Sequence, residues 1–392
     1  MEKRMNSGCL DIVILGLSIT SSWGNGHSTT YRGLVSALAA RGHNLLFLER
    51  DVPWYAQNRD LPKPPYCRTH LYPDLYTLKR NFSHKVKSAD LVIVGSYVPE
   101  GIEAGEWVLK TAGGITAFYD IDTPITLSRL KSGGNEYISP DQIPRYDMYL
   151  SFTGGPVLDI IEHSYGSPFA RELHCSFDPE VYYPESGELK WDLGYMGTYS
   201  NDRQPVLEQL MLLPAKKWQG GRFVVAGPLY PDTVLWPGNV ERIQHLPPPD
   251  HRSFFNAQRY TLNITRSAMI KTGYSPSVRL FEAAACGTPI ISDYWEGLET
   301  FFQPGKEILI AGSAEECAGF LRDLPEKERR AIGQRGRKRA LSKHTAAHRA
   351  LELERYLRIL RCSKLRETPE LNARTRAETH LAVSPAIMRL RG

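Results

Sequence analysis

The chain has 392 residues, of which 42% are hydrophobic and 23% are charged, and its formal net charge is +5. These values are typical of a soluble globular protein and exclude a collagen, a coiled coil or a wholly disordered chain. The charge is too small for a dedicated nucleic-acid binder, and no apolar run approaches the roughly 20 residues of a membrane-spanning helix.

The six cysteines of the chain are scattered and form no CxxC pair, which argues against a zinc ribbon or a thioredoxin. Isolated cysteines of this kind fit a reducing compartment. The first 17 residues lack the long apolar region and the cleavage site of a signal peptide. We therefore expect a cytoplasmic protein.

Short apolar runs alternate with amphipathic segments in the first half of the chain. The amphipathic segments predict helices at 27–40, 75–87 and 101–112, and the apolar runs predict buried strands at 11–18, 44–49, 89–96 and 115–120. This alternation predicts βαβ units around a parallel sheet. Five prolines within residues 52–73 predict a loop there.

A second series of the same kind follows a polar break at residues 179–188. Strands are predicted at 193–196, 223–226, 240–243, 260–264, 289–292 and 307–310, and a continuous helical pattern at 326–360. The sequence therefore predicts an α/β protein with two tandem Rossmann-like, doubly wound domains. These are residues 1–178 and 189–345, joined by a linker at 179–188 and followed by a loose tail at 362–392.

A glycine-rich loop with Gly24, Asn25 and Gly26 follows the first predicted strand, and the first helix opens at His27. Glycines let a ligand approach the backbone, and a helix start offers free N–H groups. Thr29 occupies the place of the third glycine in the dinucleotide fingerprint, which disfavours a nicotinamide enzyme. Because open α/β sheets bind ligands at the carboxyl ends of strands, His27 is a candidate functional residue. A plain strand-to-helix turn is the alternative.

Two carboxylates, Asp120 and Asp122, end the fourth predicted strand. On an extended strand both point to one face and could share Mg²⁺. We prefer Asp122 as a carboxylate that positions the acceptor or takes its proton, and we expect no metal site. A helix-capping acid before Pro124 is the alternative.

The segment from Gly273 to Asp293 carries the strongest signal. Ser275 and Pro276 predict a helix start, and Gly287 predicts its end. Such a helix start can receive a diphosphate on its amides. Glu282, two turns along, can accept hydrogen bonds from both hydroxyls of a ribose. The candidate donor-binding residues of this segment are Tyr274, Ser275, Ser277, Val278, Arg279 and Glu282.

This segment resembles the donor-binding signature of the family-four retaining glycosyltransferases, which have the two-domain GT-B fold. A longer match, over about residues 11–345, resembles the CgeB-like glycosyltransferases. It rests on residues 152–155, 195–200, 223–230, 260–266 and 275–296. The broader family carries two glutamates spaced E-x7-E. Glu282 matches the second and Tyr274 replaces the first, so the stereochemical outcome stays open.

The resemblance implies further site residues. Arg203 would face the donor diphosphate, since its guanidinium fork suits phosphate, and Arg266 and Arg279 are weaker candidates for the same charge. His245 and Leu246 would lie in the loop that reads the base through backbone groups. The loop with Gly24, Asn25, Gly26 and His27 resembles the acceptor-side loop of GT-B enzymes.

The resemblance also implies the activity. We expect a metal-independent hexosyltransferase that uses a UDP- or dTDP-type sugar and no cofactor, with a glycan, lipid, small molecule or protein as acceptor. Asp122 or His27 would be the base of an inverting reaction, whereas in a retaining one the leaving phosphate could take the proton. An epimerase of the same fold and a non-catalytic nucleotide-sugar-binding protein are the alternatives.

The end of the chain carries two further expectations. In GT-B enzymes the last helix crosses back to the first domain, and residues 346–361, with Leu353, Leu357 and Leu360 on one face, fit that helix. A basic run at 327–349 would allow a weak contact with an anionic membrane surface, but we prefer a solvated helix face. No contact with nucleic acid is expected.

Overall fold

The structure is a computed structural model that describes residues 8–24 and 26–367. Asn25 of the predicted acceptor-side loop therefore lies outside the described residues. The chain divides at Ala350 into two compact units, and both sheets lie in the first of them. Among the described helices, none is long and apolar enough to cross a membrane.

The first domain is built on a seven-stranded parallel sheet in the order β3-β2-β1-β4-β5-β6-β7. Its strands are β1 (Asp11–Gly16), β2 (Asn44–Arg50), β3 (Arg68–Tyr72), β4 (Leu91–Gly95), β5 (Ile115–Asp120), β6 (Met148–Ser151) and β7 (Ala170–Glu172). Its helices are α1 (His27–Ala40), α2 (Pro53–Ala56), α3 (Leu75–Ser88), α4 (Gly101–Thr111), α5 (Thr123–Ser132) and α6 (Val157–His163), with a 3₁₀ turn at Pro140–Arg145. The strand order reverses between β1 and β4, which is where open α/β sheets form a ligand crevice.

The second domain is built on a six-stranded parallel sheet in the order β10-β9-β8-β11-β12-β13. Its strands are β8 (Trp191–Met196), β9 (Phe223–Ala226), β10 (Val240–Ile243), β11 (Gln258–Asn263), β12 (Ile290–Ser292) and β13 (Leu309–Ile310). The helices that alternate with them are α7 (Gln204–Leu207), α8 (Leu213–Lys217), α9 (Pro248–Asn256), α10 (Ser267–Thr272), α11 (Val278–Ala285), α12 (Leu298–Phe301) and α13 (Ala314–Asp323). A π-helical turn at Glu208–Leu212 joins α7 to α8. Here the order reverses between β8 and β11.

These two sheets confirm the predicted fold class of two Rossmann-like domains. The central strands were predictable because they are buried on both faces and consist almost wholly of apolar residues, as in β4. Residues 179–188, the predicted linker, contain neither a helix nor a strand. The predicted loop at 52–73 is wrong in part, because it contains α2 and the strand β3. That strand pairs with β2 at the edge of the sheet, and two of its five residues are exposed.

The continuous helix predicted at 326–360 is also wrong in detail, because it is two helices, α14 (Glu326–Lys343) and α15 (Ala346–Glu367). The chain leaves the helix at His344 and Thr345 to pair with Phe177, which comes just before the linker. The backbone oxygen of Phe177 accepts from the amide of Ala346 at 2.9 Å. Of the predicted tail, residues 362–367 continue α15, and residues 368–392 lie outside the described part.

Candidate functional site

A cavity of about 270 Å³ lies between the carboxyl ends of the two sheets. The first domain contributes one wall, from the loop after β1 and the start of α1. The second domain contributes the rest, from the ends of β8 and β9 and from α9 and α11. The lining residues are Ser22, Gly24, Gly26, Thr29, Met196, Gly197, Thr198, Arg203, Ala226, Gly227, Pro228, His245, Leu246, Pro248, His251, Val278, Arg279 and Glu282.

The start of α11 forms one wall of this cavity, but it begins later than predicted. The helix starts at Val278, and Ser277 is its N-cap residue in extended backbone. The Ser277 hydroxyl donates to Oδ1 of Asn263 at 2.8 Å instead of capping the helix. Ser275, the predicted cap, is buried and hydrogen bonds the Thr153 hydroxyl of the first domain at 2.9 Å. The first amides of α11 therefore have no side-chain cap.

Glu282 lies on the second turn of α11, as predicted, and lines the cavity. Its side chain is almost fully buried. This burial raises the pKa of Glu282, while the nearby His251 and a hydrogen bond from the Tyr182 hydroxyl act in the opposite direction. A buried acid needs hydrogen-bond donors, and Glu282 faces a cavity in which a ligand can supply them.

Two arginines of the predicted donor site also line the cavity, with different surroundings. Arg203 stands before α7, and its guanidinium donates to the Ser200 hydroxyl at 2.8 Å and to the backbone oxygen of Thr198 at 2.5 Å. Arg279 is buried, and it donates to the backbone oxygen of Met196 at 2.5 Å and to Asn263 at 3.0 Å. Arg203 is therefore the better placed of the two to meet an anion, since Arg279 mainly ties α11 to the sheet.

The loop after β10 closes the cavity on its other side. His251, on the first turns of α9, contacts the backbone oxygen of Leu246 at 3.1 Å and the Tyr182 hydroxyl at 3.3 Å. His245 meets Trp23 of the first domain, with ring centroids 4.6 Å apart. His251 and Trp23 were not predicted as site residues. Their one signal in the sequence is their position beside the two predicted ligand loops.

A second cluster of polar groups stands at the carboxyl end of the first sheet. Asp122 follows β5, and its Oδ2 accepts from the Tyr97 hydroxyl at 2.7 Å and from Nη1 of Arg266 at 3.2 Å. The His27 ring packs edge-on against Tyr97, with centroids 5.7 Å apart. Burial lowers the pKa of His27 to about 4, although the nearby Asp122 acts to raise it. The structure thus brings together three predicted residues and adds Tyr97.

Asp120 belongs to the interior of the domain and not to the cleft. Its Oδ2 accepts from the Tyr149 hydroxyl at 2.5 Å, and its Oδ1 accepts from Thr126 at 2.8 Å and from the amide of Asp122 at 3.2 Å. Burial raises the pKa of Asp120 to about 6. Both oxygens of Asp120 are thus engaged by groups of the first domain, and the expectation of no metal site stays a prediction.

Tyr274, which stands eight residues before Glu282, connects the two domains. Its backbone is left-handed, with φ 49°, and its carbonyl oxygen accepts from the amide of Gly154 at 3.0 Å. Its ring lies between Gly155 of the first domain and Gly297 of the second, so close that a side chain at either glycine would meet it. Tyr274 and Ser275 therefore lie at a contact between domains and not in the lining of the cavity.

Comparisons with known proteins agree with this architecture. Residues 203–355 match the family model described as glycosyl transferase-like, and no curated protein matches the chain in sequence. Sucrose-phosphate synthase from Thermosynechococcus elongatus is similar at 15% identity, with a TM-score of 0.63 over 90% of this chain and 99% of that one. Anabaena HepE, solved with UDP and glucose, gives 11% identity and a TM-score of 0.66 over 89% and 99%.

An alpha-glucosyltransferase solved with UDP-glucose and DNA containing an abasic site is similar over 89% of this chain and all of its own. Its identity is 11% and its TM-score 0.64. At identities this low a likeness shows the fold. The chain has the GT-B fold.

Proposed function

We propose that this protein is a glycosyltransferase that moves a sugar from a nucleotide-diphosphate sugar to an acceptor in the cleft between its two domains. The observation that carries this proposal is the cavity in which the start of α11, Arg203 and Glu282 face one space. The glycosyl transferase-like match over 203–355 supports it.

Each group of the cavity suits one part of such a donor. Glu282 would accept hydrogen bonds from the ribose hydroxyls. The uncapped amides of α11 and the Arg203 guanidinium would hold the diphosphate, since both favour negative charge. Leu246 and its neighbours in the loop after β10 would meet the base. We propose a UDP-sugar as the donor, with a hexose as its sugar, because UDP and UDP-glucose occupy solved relatives of this fold.

The same groups would stabilise the leaving diphosphate, so we propose a reaction that needs no metal. A helix start and an arginine aimed at developing charge act most strongly in a cleft that excludes water. Asp122 and His27 lie on the acceptor side, at the carboxyl end of the first sheet. We propose Asp122 as the group that receives the acceptor proton. The relation to the CgeB-like and family-four enzymes and the cytoplasmic location stay predictions.

A panel of UDP-, GDP- and dTDP-sugars, followed by thermal unfolding, tests the donor. A ligand present at 100 times its Kd stabilises the folded state by about 2.7 kcal/mol, which is readily seen as a shift in Tm. We expect UDP-sugars to give the largest shift and Glu282→Gln to reduce it. The control is Glu299→Gln, because Glu299 is exposed on α12. Failure of every sugar nucleotide to shift Tm contradicts the proposal.

Analysis of the products separates transfer from epimerisation. With the donor alone, a transferase yields UDP and free sugar, since water replaces the acceptor. An epimerase of the same fold would return an altered sugar nucleotide instead. Recovery of an epimerised donor would therefore contradict the transfer reaction while leaving donor binding intact.

A further inference from the structure

Tyr97 has an unusual backbone for its residue type. It follows β4 with φ 63°, in the left-handed region that favours glycine. Residues other than glycine with such a backbone cluster at functional sites, where the surrounding structure holds them in this conformation. Here the result is that the Tyr97 hydroxyl reaches Oδ2 of Asp122 at 2.7 Å. The left-handed backbone of Tyr97 is therefore associated with one hydrogen bond, from its hydroxyl to one oxygen of Asp122.

The same oxygen of Asp122 also accepts a hydrogen bond from the second domain. Arg266 lies three residues after the end of β11. Its Nη1 atom is 3.2 Å from Oδ2 of Asp122. The Arg266 side chain is 39% exposed, whereas that of Asp122 is 6% exposed. The ion pair thus stands at the border between the cleft and the first domain.

The other oxygen of Asp122 is left without such a donor. Oδ1 is buried, and it has no hydrogen-bond partner among the described residues. Asp122 does not itself line the cavity, but its partner Tyr97 packs on His27, and the neighbouring Gly26 lines it. Buried polar atoms are paired in nearly all proteins, so an unpaired carboxylate oxygen at this place can take a donor from a substrate. A hydroxyl group is a donor of the right kind, because it can first hydrogen bond to a carboxylate and then lose its proton to it.

We infer that Tyr97 and Arg266 are positioning residues which hold Oδ2 of Asp122 and turn Oδ1 toward the hydroxyl of the acceptor. The inference rests on the proposed glycosyl transfer. In that step the acceptor oxygen bonds to the anomeric carbon, and the bond from that carbon to the diphosphate breaks. The electron pair leaves with the nucleoside diphosphate, and the acceptor proton moves to Oδ1.

The two hydrogen-bond donors to Asp122 come from different domains, which has a consequence for its orientation. Tyr97 belongs to the first domain and Arg266 to the second, so Asp122 has both donors only while the two domains are in contact. The carboxylate is then fully oriented in the closed cleft and less so in an open one. Coupling of this kind protects a bound donor from reaction with water before closure.

Variants at both donors test the inference. With the sugar nucleotide that stabilises the chain most in the panel, release of nucleoside diphosphate to water is measured for wild type, Tyr97→Phe, Arg266→Gln and Asp122→Asn. We expect Tyr97→Phe to lower kcat at least tenfold and to leave the Kd for UDP within twofold. The matched control is Tyr137→Phe. Tyr137 packs 4.8 Å from Tyr97, but its hydroxyl bonds Thr126.

A double variant separates positioning from general damage to the fold. If Tyr97 and Arg266 act through Asp122, Tyr97→Phe and Arg266→Gln should each slow the Asp122→Asn enzyme no further. Multiplied effects overturn the inference, and so does unchanged kcat in Tyr97→Phe. If Tyr97→Phe does not fold, the partly exposed Arg266→Gln decides alone by the same criterion.

Failure of the proposed function looks different from failure of the inference. A wild-type chain that no sugar nucleotide stabilises overturns the proposed function and the inference together. A chain that binds its donor and releases no nucleoside diphosphate overturns the inference and leaves donor binding standing. Full activity in Tyr97→Phe overturns the inference alone.

Discussion

Glu282 illustrates at the residue scale how binding and stability can oppose one another. The folded protein raises the pKa of this acid through burial, so its ionised form is disfavoured relative to the unfolded chain. Stability linked to the group is thus fully present below its unfolded pKa and is lost as pH rises through its folded pKa. A neutral isostere should remove this cost at pH 7.

We therefore predict that Glu282→Gln weakens UDP binding without lowering stability. Loss of charge-assisted hydrogen bonds worth about 1.5–3 kcal/mol corresponds to roughly a 10–150-fold higher Kd. Calorimetric titration with UDP measures the affinity, and urea unfolding measures the stability. Unchanged affinity would remove Glu282 from the ribose site, and a large loss of stability would show that the ionised acid supports the fold.

His27 offers a second prediction at the residue scale. Because burial lowers its pKa from 6.5 to about 4, we expect the imidazole to be neutral at pH 7. Its contribution to stability should be present above pH 6.5 and should be lost as pH falls through about 4. The ring resonances followed by NMR, with His27→Asn for assignment, give the pKa directly. A midpoint near 6.5 would contradict the buried, neutral histidine.

Among the elements, the central strands were the most predictable and the start of α11 the least, while β3, β6 and β7 were not predicted. Runs such as Leu91–Gly95 are apolar throughout because both faces are covered, and this shows in the sequence alone. The start of α11 depends on a tertiary contact, because the Ser275 hydroxyl pairs with Thr153 of the other domain. No local pattern reveals that pairing, and Ser275 followed by Pro276 is an ordinary helix-start signal.

The same limit applies to the candidate site. Glu282 was predicted from its spacing to a helix start, and Arg203 from the resemblance to a family. Tyr97 was missed because its left-handed backbone, and with it the direction of its hydroxyl, leaves no mark on the residues around it. The break at His344 was missed for a related reason, since the partner of that segment is Phe177, far away in the chain.

The contact made by the loop before α11 leads to a prediction about packing. A Cβ on Gly155 would lie 2.5 Å from the Tyr274 ring, whereas a Cβ on Gly133 would meet nothing within 4 Å. Both glycines have positive φ, so the backbone cost of alanine is similar at the two positions. We expect Gly155→Ala to lose about 1–3 kcal/mol more in urea unfolding than Gly133→Ala, because of overpacking. Equal losses would mean that the Tyr274 ring moves freely.

The start of α11 and the residues around Asp120 lead to a prediction about metals. The start of α11 and Arg203 bring positive charge to the cavity, and the oxygens of Asp120 are occupied by Tyr149, Thr126 and the amide of Asp122. We therefore expect release of nucleoside diphosphate to continue in EDTA at more than half of its untreated rate. If EDTA abolishes this release and Mg²⁺ or Mn²⁺ recovers it in the same assay, the prediction is wrong and the two carboxylates become candidate metal ligands again.

At the scale of the whole molecule, the chain connects its two Rossmann-like domains more than once. Residues 179–188 lead from the first domain to the second, and the chain after α14 returns to the segment before that linker. There Thr345 forms an isolated bridge with Phe177. Beside it, a Cβ on Gly33 of α1 would lie 3.2 Å from that of Ala346, so the first turn of α15 packs closely on the first domain. The two connections between the domains therefore meet at this bridge.

This return predicts how the chain responds to shortening. Within α15, Leu353 and Leu357 are buried and Leu360 is partly buried, and the three residues are spaced as one side of an amphipathic helix. A chain that ends at His348 should then lose several kcal/mol of stability, because each buried leucine contributes about 1.5–3 kcal/mol. A chain that ends at Ser363 keeps these leucines and should unfold almost as wild type. Urea unfolding followed by intrinsic fluorescence compares them, and equal midpoints for the two shortened chains would refute a stabilising role for residues 349–363.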